Sequence, residues 1–352
     1  MPQPKRLNQQ TIAKATGVSR ATVSLILRGG IGSSESTRAR VLAMAEKMGY
    51  RPNALVQSIR SGKSRTMGVL VPPHDSFWQN VCYGIHDRLT ESDHLPLFLW
   101  DSEHHDLPRE QYALQQIHRL LDRWVDGVIL WPEFAKFYAK HLHEFERRNI
   151  PVVIIDHIMP ELAVDTVSCD ERQIARLIVP HLTALGHRDI LVVSGPEHLG
   201  WADDRCAALQ REAEVYADGP RQDEALTLRF LRIPFGSDVT AQILNALQDF
   251  PGCTAVIGCT DHLANKAYRA AHQMGYIIPQ DLSVIGVGDL TIAPILSPPL
   301  TTVRQDGYAV GVKAAQAGME RSAGLLTGPA RRYTIPVQLI ERNSTASRRP
   351  AL

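Results

Sequence analysis

The sequence is short of the features that define several large classes of protein. Cysteine is scarce: Cys82, Cys169, Cys206, Cys253 and Cys259 are scattered through 352 residues, odd in number and without a CxxC pair. That excludes a disulfide framework and a zinc knuckle, and points to reduced, mostly buried thiols. No apolar run reaches the ~18 residues a membrane span needs. No apolar segment follows Lys5-Arg6 as it would in a secretory signal, so a cytoplasmic chain is expected. Catalytic signatures are missing as well. There is no GxSxG, P-loop or HExxH, and no GxGxxG between a strand and a helix, so neither an enzyme nor a bound cofactor is expected. The histidine pairs His104-His105 and His141-Leu142-His143 come without a convergent third ligand and read as solvated surface, not as a metal site.

Charge of one sign is also lacking overall, with a net of +1, but the balance hides a segregation. Residues 1–65 hold 12 Lys/Arg against two acids, Glu35 and Glu46, which leaves +10. The remainder holds 26 Lys/Arg against 35 Asp/Glu, or −9. A basic arm on an acidic body is the electrostatic footprint of a nucleic-acid module attached to something else. The length allows one large domain plus a small one.

The first 50 residues read as three short helices. Asn8 caps the first, which runs through about Thr16 with Ile12, Ala13 and Ala15 inward, and Gly17 stops it. Ser19 caps the second, with Val23 and Leu27 inward. Ser34 caps the third, with Val41, Leu42, Ala45 and Met48 on one face and Gly49 at its end. Arg51-Pro52-Asn53 breaks the chain, residues 53–60 offer one or two helical turns, and Ser61-Gly62-Lys63-Ser64 is a polar linker. From Met67 short β-rich apolar runs alternate with amphipathic stretches: Met67–Val71, Leu97–Leu99, Gly127–Leu130, Val152–Ile155, Ile190–Val193, Ala255–Ile257 and Ser283–Val287. Such alternation means βα units, and seven or more strands over this length suggest two doubly wound parallel sheets. The polar end from Ser344 is expected to be disordered.

Thr11 to Ser24, TIAKATGVSRATVS, is the sharpest signal. A helix, a turn opened by Gly17 and a second helix capped by Ser19 make a helix-turn-helix whose second helix can enter the major groove N-terminal residues first. Arg20, Ala21, Thr22, Ser24 and Leu25 face away from Val23 and Leu27 and are the candidate base and phosphate readers. Arginine can take guanine bidentately, while Ala, Thr and Leu can touch a thymine methyl.

That stretch, with STRARVLAMAEKMGYRPNALVQSIRSGKS after it, resembles the lactose/galactose/purine repressor (LacI-type) family of transcriptional regulators. VDGVIL, IPVVIID, HLTALGHRDI, PQDLSVIGVGD and PPLTTVRQDGYAVG extend the likeness over nearly the whole chain. The resemblance implies a small all-α helix-turn-helix domain plus an α/β body of periplasmic-binding-protein type, with two doubly wound parallel-sheet subdomains closing on a small effector. It implies a homodimer, or a tetramer, that binds palindromic double-stranded operator DNA as a repressor. The boundaries expected are 1–52 for the DNA-binding domain, 53–66 for a hinge helix and linker, and 67–345 for the body. Within the body, one subdomain takes about 67–166 and 297–322, the other about 167–296 and 323–345, and 346–352 is a disordered tail. The DNA-binding set implied is Asn8, Ser19, Arg20, Ala21, Thr22, Ser24, Leu25 and Arg28, with Asn53, Ile59 and Arg60 in the hinge. Ile59 stands where the family places an apolar minor-groove wedge. Leu25 and Arg28 depart from the family's usual Arg or His and Asn, so operator preference should differ.

The same resemblance places an effector between the subdomains. Phe77 and Trp78 fall where relatives use aromatics to stack a ligand, and Asp156 and Asp170 follow strands that face the cleft. Arg205 matches a ligand-clamping arginine, a role its fork of donors suits. Trp131, Trp201, Thr260, Asp261 and Asp289 complete the set, with His262 as a neighbour. Where relatives carry an Asp pair, this chain has Gly288-Asp289, and Gly288 cannot accept ligand hydroxyls. The faces of Trp78, Trp131 and Trp201 make a carbohydrate the expected effector; a purine or other non-sugar metabolite is the alternative.

Overall fold

The computed structural model describes residues 8–51, 58, 62–72, 74–100, 107–132, 135–156, 163–217 and 226–348. Asn53, Ile59 and Arg60 of the hinge, His104-His105 and residues 349–352 lie outside the described residues. The chain divides into two compact units, residues 1–64 and 65–352.

The small unit is three helices, α1 (Gln9–Thr16), α2 (Arg20–Leu27) and α3 (Glu35–Lys47). Each begins on a side chain that accepts a first-turn N–H: Asn8 from Thr11 at 3.0 Å, Ser19 from Thr22 at 3.1 Å and Ser34 from Thr37 at 3.3 Å. Ile12, Ala13, Val23, Ile26, Val41 and Ala45 form the core. Two inward assignments fail. Ala15 is exposed, and so is Leu42 at 43%. The buried stripe of α3 runs through Val41 and Ala45, and a residue one position on is turned about 100° away from it.

The large unit carries two six-stranded sheets. The first is built from β1 (Thr66–Leu70), β2 (Leu95–Leu99), β3 (Gly127–Leu130), β4 (Val152–Ile155), β5 (Asp165–Cys169) and β11 (Arg332–Ile335), in the order β11-β5-β4-β3-β1-β2 and parallel throughout. The second is built from β6 (Asp189–Ser194), β7 (Thr227–Arg232), β8 (Ala255–Gly258), β9 (Ser283–Gly288), β10 (Thr301–Gln305) and β12 (Val337–Ile340), in the order β12-β10-β9-β8-β6-β7. Only β12, at an edge, runs antiparallel there. Helices α4 (Ser76–Glu91), α5 (Arg109–Leu121), α6 (Ala135–Arg147) and α11 (Gly307–Ser322) accompany the first sheet; α7 (Glu171–Ala184), α8 (Gly200–Ala217), α9 (Val239–Gln248) and α10 (Asp261–Gln273) accompany the second.

The chain passes between the sheets three times, after β5, β10 and β11, and this moves the expected subdomain boundaries. β5 completes the first sheet, so the first crossing falls after Cys169 rather than at 166. β10 belongs to the second sheet and β11 to the first, the reverse of the expected split at 297 and 323. The crossings are bound to one another: the Asp170 N–H donates to the Ile335 carbonyl at 3.0 Å, and the Val337 N–H to Gln173 Oε1 at 3.0 Å.

Close backbone approach holds α4 to α11. A Cβ at Gly84 would strike the Tyr308 carbonyl, and one at Gly311 would strike that of Val81. The polar end is ordered as far as Arg348, contrary to expectation. Ser344 is fully buried, donates to the Val284 carbonyl at 2.5 Å and accepts from the Thr301 N–H at 2.8 Å. His187 Nε2 donates to the Ala346 carbonyl at 3.0 Å, and the Arg348 N–H to that of Leu185 at 2.8 Å. Polar side chains here replace apolar ones as anchors, which composition alone does not reveal. Among the described residues no helix is long and apolar enough to cross a membrane.

Candidate functional site

The small unit presents the first candidate surface. On α2, Arg20 and Ala21 are exposed, as are the Ser19 cap before it and Arg28 after it; Thr22 and Leu25 are half-buried. Thr22 shares its hydroxyl with Ser19 at 2.9 Å. Ser24, expected among the readers, is buried and lies on the core side with Val23. Leu25 is folded against its own loop, where a Cβ at Gly30 would strike its side chain. Arg28 Nε donates back to the Ser24 carbonyl at 2.9 Å, leaving the outer guanidinium nitrogens to face solvent. Asn8 is exposed and spends its amide oxygen on the α1 cap. The first turn of α2 thus offers a basic side chain, small neighbours and helix N-terminal amides, a combination that suits a phosphate-lined groove.

The second candidate is a cavity of about 360 Å³ in the large unit, lined from the carboxyl ends of strands in both sheets. Ligands bind open α/β sheets at this edge, and the volume suits a small molecule. Phe77, Trp78, Trp131, Asp156, Trp201, Arg205 and Thr260, all anticipated, line it. Trp78 and Phe77 come from the first turn of α4, started by the Asp75 carboxylate accepting the Trp78 N–H at 3.1 Å. Both are buried, at 8% and 9% exposure, so they are core residues that also wall the cavity. Trp131 follows β3 and lies 5.3 Å from the Trp78 ring. Trp201, in the first turn of α8, lies 5.5 Å from the Arg205 guanidinium.

Electrostatics at the cavity differ from the expected clamp. Arg205 is buried, and its fork holds Glu171 bidentately at 2.6 and 2.7 Å while a third N–H goes to the Cys259 carbonyl. Two of its five N–H groups are left for other use. Asp156 follows β4 at φ 60°; burial and then the neighbouring Glu171 carboxylate push it up to about 7, against the pull of Arg205.

Three anticipated acids lie away from the cavity. Asp170 accepts the Gln173 N–H at 2.9 Å and caps α7. Asp261, fully buried, accepts from the Leu290 N–H at 2.7 Å and the Thr302 hydroxyl at 2.6 Å, so it fixes the loop after β9 from behind; burial pushes it up to about 6. Asp289 is held by Arg304 at 2.7 Å and Arg342 at 2.6 Å. It faces a second cavity of about 240 Å³. Gly288 lines both cavities and has φ +132°, a backbone conformation that strains any residue with a Cβ. His262 instead faces Asp75 at 3.7 Å.

Sequence reasoning missed His74, Asp75, Leu199, Phe235, Val287, Leu290 and Gln305 in the lining, and Glu171 behind Arg205. Glu171 reads as an ordinary acid in the first turn of a helix, and only folding shows that it meets an arginine 34 positions away.

Comparison with known proteins agrees with both units. Residues 10–53 match the model for bacterial regulatory proteins of the lacI family, and residues 179–345 match that for a periplasmic binding protein-like domain. The HTH-type transcriptional repressor CytR of Escherichia coli is 30% identical over 345 residues, 95% of each chain. The lac repressor dimer bound to operator and an anti-inducer superposes with TM-score 0.81 at 23% identity, covering 97% of this chain and all of that one. A LacI family regulator from Enterococcus faecium with bound ribose gives 0.66 at 26% identity, covering 80% and 99%. The chain belongs to the LacI family of transcriptional regulators.

Proposed function

We propose that the protein is a repressor that binds palindromic operator DNA as a homodimer through the α2 surface, under the control of a neutral carbohydrate held in the 360 Å³ cavity. The observation that carries the ligand class is the charge of the lining. Among the described lining residues Arg205 is the only lysine or arginine, and Glu171 already neutralises it, while Asp75 and Asp156 add acceptors. Among the described lining residues a phosphorylated ligand would meet carboxylates and no lysine or arginine that lacks a carboxylate partner. A sugar instead offers hydroxyls to the carboxylates and an apolar face to Trp131 and Trp201. The ribose-bound relative supports the class.

A thermal-shift screen of the full chain against neutral sugars, sugar phosphates and nucleobases tests the reading. A matching sugar at about 100 times its dissociation constant stabilises the fold by ~2.7 kcal/mol. Stabilisation by a phosphorylated sugar or a purine alone would overturn the ligand class. Retention of a palindromic duplex without loss on adding the stabilising sugar would overturn the control.

A further inference from the structure

A cluster of metal-ligating residue types stands apart from both candidate sites, on the outer layer of the first sheet. His118 in the last turn of α5, and His141 and Glu144 on α6, bring two imidazoles and a carboxylate together. Their donor atoms all lie within 4.8 Å of one another. The spacing of His141 and Glu144, three apart, sets them on one face of α6, and the Nδ1 to carboxylate distance is 4.0 Å. The two imidazole rings stand nearly perpendicular, at 87°, with centroids 6.1 Å apart, so they approach from different directions. Beneath them Ile117 and Leu121 of α5 pack with Leu142 and Phe145 of α6, and this apolar contact fixes the helices that carry the donors. In sequence His141 reads as solvated surface, because His118 lies on a different helix, which residue spacing cannot join.

We propose that His118, His141 and Glu144 bind a divalent transition-metal ion of the zinc class. Two imidazoles and one carboxylate are borderline donors that suit such ions rather than Mg²⁺ or Ca²⁺. Zinc takes three protein ligands of this kind at about 2.0–2.2 Å, which sets donors about 3.4 Å apart in a tetrahedron and leaves a fourth position for water. The donors stand wider than that, within 4.8 Å of one another and 4.0 Å between His141 and Glu144, and rotation of exposed His118 and of the half-buried His141 and Glu144 side chains brings them in. A bound ion ties the end of α5 to α6, the helix that leads through β4 to Asp156. The site does not depend on the ligand class assigned to the cavity.

The test is calorimetric titration of the chelator-treated full chain with ZnCl₂, comparing wild type with His118→Ala, Glu144→Gln and His143→Ala. His143 shares α6 but pairs with Glu146 and lies outside the constellation, so its variant is the control. One zinc per chain is expected for wild type and His143→Ala. Binding should be at least tenfold weaker in His118→Ala and Glu144→Gln, with unchanged circular dichroism. A wild-type chain that takes up no zinc, or a His118→Ala or Glu144→Gln chain that binds it as wild type does, overturns the assignment. So does loss of binding in His143→Ala.

Discussion

Single residues at the cavity carry roles that their neighbours decide. Asp156 sits at about 7, raised chiefly by burial, so near neutrality it exists in both forms. The ionised form is the stronger acceptor of ligand hydroxyls, so effector affinity should rise as pH climbs through 7 and fall below it. Asp156→Asn should flatten that acidic limb in a binding titration; an unchanged limb would place the titration elsewhere. Arg205 illustrates the opposite case. As a free clamp it could be removed at the expense of binding alone. Paired with Glu171 inside the protein, it cannot: Arg205→Ala leaves a mostly buried carboxylate without its partner, and the expected loss of stability is about 3 kcal/mol. Chemical denaturation checks this, and a double change of Arg205→Met with Glu171→Leu should recover most of the loss. A stable Arg205→Ala chain would show that Glu171 does not need the pair. Gly288 explains why the missing family aspartate cannot simply be restored, since its φ of +132° would place a Cβ residue in strained backbone against Leu290.

At the scale of elements, what the sequence disclosed depended on whether a signal was local. The caps at Asn8, Ser19 and Ser34 are read from one residue and the few after it, and all three are made in the structure. Strands buried on both faces, such as VVII and AVIG, announce themselves as apolar runs. DTVSC, TLRFLR, TTVRQ, RYTI and VQLI did not, because polar and charged residues interrupt them and several lie at or near sheet edges. The site divides the same way. Trp131 and Asp156, which follow strands, and Trp78, in the first turn of α4, line the cavity where the resemblance puts them, whereas Asp170, Asp261 and Asp289 stand at equivalent strand ends and helix starts but are spent by the fold on the Gln173 N–H, Thr302, Arg304 and Arg342, partners that no local pattern reveals. For α2 the burial of Ser24 narrows the reading set, and Arg20 stands out at its exposed start. Arg20→Ala should cost ~1–3 kcal/mol of operator affinity and relax preference at one position of each half-site, as read by competition binding with base-substituted duplexes. Undiminished selectivity would move the reading surface off the first turn of α2.

Across the whole large unit, the three chain crossings join the halves, and the pair of Asp75 with His262 spans them as well. Asp75 starts α4 on the first sheet and His262 lies in the first turn of α10 on the second. Beside them the Thr291 N–H donates to the Ser76 hydroxyl at 3.3 Å, so the two halves already touch here. His262 is raised above its ordinary 6.5, first by the Asp75 carboxylate it faces at 3.7 Å and then by Asp261, against burial and Lys266. A raised imidazole pKa means that the closing contribution is fully present below about 6.5 and is lost as pH rises through the raised value. Closure and ligand recognition therefore have opposite pH dependence: Asp156 favours binding as it ionises, and His262 favours it while protonated. On the proposed reading, sugar affinity therefore has an acidic limb set by Asp156 and an alkaline limb set by His262. The limbs can be separated. His262→Asn should remove the alkaline fall and leave the acidic limb, and Asp156→Asn should do the reverse. Retention of the alkaline fall in His262→Asn would mean that the halves close through contacts other than this pair.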